Sequence, residues 1–203
     1  FVVGQESTGG GVWVDCEQDY YVLGMNPASY PNAFNISNVF DYQGANDVKV
    51  APFSTFKPEV VTFDVLSLDG APTNFNLQLA ADNGGSVGAM IPPVYTLGPG
   101  DYNSFVAGSL LGYNVYRIEV DISIAGIELE NNTANDAYWW MVLDADATST
   151  GSSLFWVVAE GVATDNPAYQ FDGVVWNANP GVEYAMKVEG QCLVEEPECD
   201  IIC

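Results

Sequence analysis

Along much of this chain apolar and polar side chains alternate at every second residue, and that period of two constrains the fold more than any other feature. Tyr116, Ile118, Val120 and Ile122 alternate with Arg117, Glu119, Asp121 and Ser123. Phe75, Leu77 and Leu79 alternate with Asn74, Asn76 and Gln78, and Tyr184, Met186 and Val188 with Glu183, Ala185, Lys187 and Glu189. Val61, Phe63 and Val65 alternate with Val60, Thr62 and Asp64 less cleanly. Successive side chains of a strand point to opposite faces, so these runs predict strands with one face on a core and one toward water. Two segments, 138–143 and 154–159, are apolar on both faces and suit strands in the middle of a packed sandwich. Turn clusters LDGAPTN (68–74), LGPGDYN (97–103), ENNTAND (130–136) and DADATSTGSS (144–153) separate the runs. No stretch shows a convincing amphipathic helix. The expected fold is all-β, an antiparallel β-sandwich or jelly roll, without internal repeat or second domain. Its expected parts are an N-terminal strand and irregular excursion (1–39) packed on or exchanged with the sandwich, the sandwich itself (40–191) and an acidic, cysteine-bearing tail (192–203).

The 203 residues include 27 acidic side chains against four basic ones, Lys49, Lys57, Arg117 and Lys187, for a formal charge of −23. Such a surface repels phosphate backbones and anionic headgroups, which disfavours nucleic acid and simple membrane-surface partners. Divalent cations at clustered carboxylates, or screening by surrounding salt, would offset the self-repulsion and point outside the cell or to saline surroundings. An acidic surface kept only for solubility is the plainer alternative. At 48% hydrophobic and 13% aromatic, the chain has material for a core and is not a disordered acidic tail. No run reaches the roughly 18 apolar residues of a spanning helix. A chain that opens on Phe1, with no charged segment ahead of an apolar one, reads as a processed secreted protein or an excised domain.

Cysteines stand at positions 16, 192, 199 and 203, all outside the apolar runs. In an acidic, extracellular-looking chain they read as disulfides, with three intramolecular pairings open. The favoured arrangement joins Cys16 to Cys192, tying the N-terminal segment to the end of the sandwich, and Cys199 to Cys203 as a small loop. A Cys-x6-Cys-x3-Cys spacing lacks the paired knuckles of a zinc site.

The stretch LQLAADNGGSVGAMI, residues 77–91, tests for a phosphate cradle. A cradle needs glycines followed by a helix and usually a Lys. Here Gly84, Gly85 and Gly88 lead into AMIPPVYTL, which carries two prolines and no basic residue, so the segment is expected to be a turn between strands. With this turn in place, the order FNLQLAADNGGSVGAMI, YNVYRIEVDISIAGIELENN, AYWWMVLDA, SLFWVVAEG and EYAMKVEGQC resembles a β-sandwich module of secreted and cell-surface, adhesin-like proteins of Bacteroidota exported by the type IX route. A strand ending in Asp-x-Gly-Gly, a later Tyr-Trp and a Gly at the last strand, here Gly190, carry the likeness over residues 40–192. The first forty residues, the doubled Trp139-Trp140 and the cysteine-bearing tail depart from the pattern.

The chain has no histidine, so Ser-His-Asp and Cys-His catalysis and His-ligated zinc are excluded. Paired carboxylates for glycoside hydrolysis have no pair set apart by environment. Calcium is the expected cofactor, because Asp144 and Asp146 stand two apart at a strand end ahead of Thr148 and Ser149, and hard oxygens at alternate positions can converge on one ion. Asp82 and Asn83 form a second candidate. Against both stands the simple turn-forming habit of Asp and Asn. Trp139, Trp140 and Trp176 are candidate sugar-stacking residues, as is Trp156, with Trp139 and Trp140 required to face opposite ways and a core role open to each. Asn35 and Asn131 fit the N-glycosylation pattern. The expected function is a non-catalytic structural or adhesive unit of the bacterial cell surface, extended to a self-assembling filament subunit, with self-association or other cell-surface proteins as partners. The segment FVVGQESTGGGVWVD would supply a strand for its own or a neighbour's sheet edge. The alternative is a calcium-dependent carbohydrate-binding module with glycans as ligands, and a hydrolase comes third.

Overall fold

The computed structural model describes residues 11–21, 32–37, 41–68, 70, 72–146, 154–160 and 166–194. Two antiparallel sheets face each other. The first, of nine strands, contains β1 (Val12–Asp19), β2 (Asn32–Asn35), β4 (Ser54–Ser67), β7 (Tyr102–Leu110), β8 (Tyr113–Asp121), β9 (Leu129–Asn131), β11 (Leu154–Glu160), β14 (Val182–Tyr184) and β15 (Met186–Val194). The second, of six, runs in the order β13 (Trp176–Ala178), β12 (Tyr169–Asp172), β3 (Tyr42–Val50), β10 (Ala137–Asp146), β5 (Asn74–Asp82) and β6 (Val87–Leu97). The only helical turn among the described residues is a 3-10 turn at Ser123–Ala125. The all-β sandwich is as the alternation predicts.

Strand β4 is the spine of the first sheet. One of its edges carries β9 and β8, and the other carries β15 and then β11. β1 pairs along its whole length with β15 of the same chain, so the expected N-terminal strand closes its own sheet. Phe63, Val65, Ile118, Val120, Met186 and Val188 point inward from this sheet and meet Val48, Leu77, Leu79, Met141 and Leu143 from the other. Each such burial contributes about 1.5–3 kcal/mol. At the centre Trp156 stacks on Tyr184, with ring centroids 4.3 Å apart and planes 13° from parallel. The stack needs a hole in the facing strand, and Gly44 supplies it: a Cβ there would lie 2.8 Å from Trp156 Cε3.

On the outer face of the first sheet, Arg117 of β8 lies directly opposite Asp64 of β4 and grips it with two 2.8 Å hydrogen bonds, Nε to Oδ1 and Nη2 to Oδ2. Tyr21 donates its hydroxyl to Asp64 Oδ1 at 3.1 Å, and its ring lies 5.2 Å from the guanidinium. One of only four basic residues is thus committed to a buried carboxylate. Strands β1 and β15 are also joined covalently by a Cys16–Cys192 disulfide.

Candidate binding face on the six-stranded sheet

Pairing register places one residue from each of the six strands in a single row on the outer face of the second sheet. Trp176 pairs with Phe171, and Phe171 with Gln43. Gly44 pairs with Leu143, which sets the preceding Gln43 beside Asp144, and Gln43 Nε2 donates to Asp144 Oδ2 at 3.2 Å. Asp144 in turn pairs with Asn76, and Asn76 with Thr96. Residues opposite each other in an antiparallel sheet share a face, and five strand gaps make a row of about 24 Å. It is aromatic at one end, Trp176 and Phe171, and polar at the other.

The polar half is organised by hydrogen bonds along the row. Thr96 Oγ1 donates to Asn76 Oδ1 at 2.9 Å, and Asn76 Nδ2 donates to Asp144 Oδ1 at 2.7 Å. Asp144 therefore receives an amide from either side. A groove of about 350 Å³ lies over this part, lined by Tyr42, Gln43, Asn76, Asp144 and Phe171, with Asp41 and Gly173 at its margin. The aromatic half is held by the β12–β13 turn. Asp172 Oδ1 accepts the Val174 and Val175 N–H groups at 3.0 Å each, and its Oδ2 accepts Asn177 Nδ2 at 2.9 Å. The Val175 and Val174 N–H bonds, followed by the Asn177 amide, hold the Asp172 carboxyl below its ordinary value. Phe171 and Trp176 rings lie 5.3 Å apart and 44° from parallel, both half-exposed, beside the exposed Val174 and Val175.

Other sequence candidates fall elsewhere. Trp140 is fully buried and offers no face to a sugar, which corrects its candidacy as a stacking residue. It meets Tyr169 edge-on at 5.1 Å and donates its indole N–H to Asp82 Oδ1 at 3.1 Å. Trp139, on the opposite face, packs against the main core, and Trp156 lies within it. The Asp82 carboxylate also accepts the Gly84 and Gly85 N–H groups, while Asn83 N–H donates to Ser86 O, so this candidate closes the glycine turn. Tyr169 adds its hydroxyl to Gly85 O. Asp82 and Asp144 do not meet: their β5 positions, Asp82 and the Asp144 partner Asn76, are six residues or about 20 Å apart. Asp146 lies in β10 opposite Asn74, and Thr148, Ser149, Cys199 and Cys203 lie outside the described residues. Among the described residues no three or more Asp, Glu, Cys or His gather as a metal-holding set. The Asn131 side chain is buried, donating to Val50 O, Ala51 O and Asn135 O, and Asn35 Oδ1 accepts Ser37 N–H. Gln43, Asn76, Thr96 and Phe171 went unnoticed in the sequence, because only the register aligns them.

No protein-family model and no curated protein matches the chain. A similar solved structure is the cysteine protease and lectin-like domains of Cwp84, a surface layer associated protein of Clostridium difficile, at 11% identity and a TM-score of 0.42. The match covers 75% of this chain and 32% of that one.

Proposed function

We propose that this protein is a non-catalytic, extracellular adhesive module of the cell surface that holds carbohydrate on the outer face of its six-stranded sheet. The observation that carries the reading is the row from Trp176 to Thr96. An aromatic face matches the apolar face of a pyranose, and amide, carboxylate and hydroxyl groups alongside it match sugar hydroxyls. The spacing between strands, about 4.8 Å, is close to the length of one sugar unit, so a chain laid across the strands meets a new side chain at each step. With a formal charge of −23 the protein favours neutral or amino sugars over acidic ones. The groove opens to solvent, and Asp144 accepts an amide N–H from either side, an arrangement suited to holding sugar hydroxyls.

Glycan arrays followed by titration calorimetry test the reading. Neutral or amino-sugar oligosaccharides bind, and Trp176→Ala or Phe171→Ala weakens binding at least about tenfold. Silence across the array, or binding indifferent to both changes, sinks it. Repeating the titration with EDTA and with added calcium decides whether a cation at Asp144 takes part.

A further inference from the structure

Residues 102–116, YNSFVAGSLLGYNVY, contain no Asp, Glu, Lys or Arg in a chain of formal charge −23. The structure gives this neutral stretch to β7, the turn at Leu111 and Gly112, and the first part of β8. Among the described residues β7 pairs only with β8, which leaves the other side of its backbone with unpaired N–H and C=O groups. Apolar surface accompanies that edge: Phe105 and Val106 are each 53% exposed, Leu111 77% and Tyr113 44%.

The remaining outer edges carry protection against strand addition. β1 bears Asp15, Glu17 and Asp19, β2 is four residues long, and β9, β13 and β14 are three residues each. β6 carries Pro92 and Pro93 where its register with β5 breaks. Charge, proline and shortness are the usual guards of an edge. β7 has nine residues and one register break, between Val106 and Gly108.

We propose that β7 is the contact through which two copies of this protein associate, edge to edge across a two-fold axis. Two molecules of this charge repel over most of their surface and can approach only where neither presents a carboxylate. Antiparallel pairing of β7 with itself sets neutral residues opposite neutral residues along the strand, so no like charges face each other. It continues the nine-stranded sheet into the neighbour and covers Phe105 and Val106. A basic partner would instead be drawn to the acidic faces, away from this strip.

Sedimentation velocity on the full chain, up to about 1 mM protein, provides the test. A dimer appears and strengthens as NaCl rises from 0.05 to 1 M, since screening shortens from about 14 Å to about 3 Å. Val106→Glu, checked by circular dichroism to be folded, raises the dimer dissociation constant at least about tenfold. Ile124→Glu, at a residue 97% exposed on the 3-10 turn, leaves it unchanged. A monomer at every salt and concentration overturns the proposal. So does a dimer that folded Val106→Glu leaves intact, or one that weakens as salt is added.

Discussion

Single charges carry unequal weight in so acidic a molecule. The Asp64 carboxylate has no exposure and faces a guanidinium that is 12% exposed, so removing the cation strands an anion away from water. Arg117→Met is expected to lower stability by about 3–5 kcal/mol, read from urea denaturation, while Arg117→Met with Asp64→Asn recovers part of the loss. Asp172 works differently, at the surface and through geometry. Its folded pKa lies below the unfolded value, so its support for the β12–β13 turn is complete above the unfolded value and disappears as pH falls through the lowered one. An NMR titration should find its midpoint under the ordinary 3.8, and Trp176 resonances should shift over the same acidic range. A midpoint at or above that value would contradict the hydrogen-bonded turn.

At the level of strands, small residues decide where large ones fit. Gly44→Ala would push a methyl into the Trp156–Tyr184 stack and is expected to cost about 1–3 kcal/mol, measured by thermal melting and by altered near-UV dichroism of the Trp. Gly190 sits at the β15 register break, where a Cβ would run into the carbonyl oxygen of Lys57. Alternation made β5, β8 and the inward positions of β4 legible in the sequence, because those strands bury one face against the core. β3 was not legible: Gln43, Asn46 and Asp47 interrupt its apolar pattern, yet Asn46 and Asp47 are buried with partners in Tyr184 N–H and the Asn166 amide. β7 escaped notice for the opposite reason, having no charged residues to mark a polar face. The two prolines of AMIPPVYTL, which argue against a helix there, stand at a register break of β6, and Pro58 stands at one of β4. Of the candidate row, Trp176 and Asp144 could be suspected singly. Their alignment depends on pairing between strands far apart in the chain, which no local pattern encodes.

For the molecule as a whole, the Cys16–Cys192 bond closes a loop with a sequence separation of 176 residues. Restricting an unfolded chain over that length contributes about 5 kcal/mol in the chain-entropy account, so reduction should lower the urea midpoint markedly while leaving the far-UV strand signal of the native state intact. A midpoint unmoved by reductant would show that the unfolded chain gains little freedom. The bond also governs what happens when the protein is pulled. Val12 and Val194 are neighbours, so a tensile load applied at these two residues can peel β1 from β15 only as far as the sulfurs. Beyond that point the force runs through a covalent strut and bypasses the sandwich, whose six-stranded sheet and its outer row stay folded under drag.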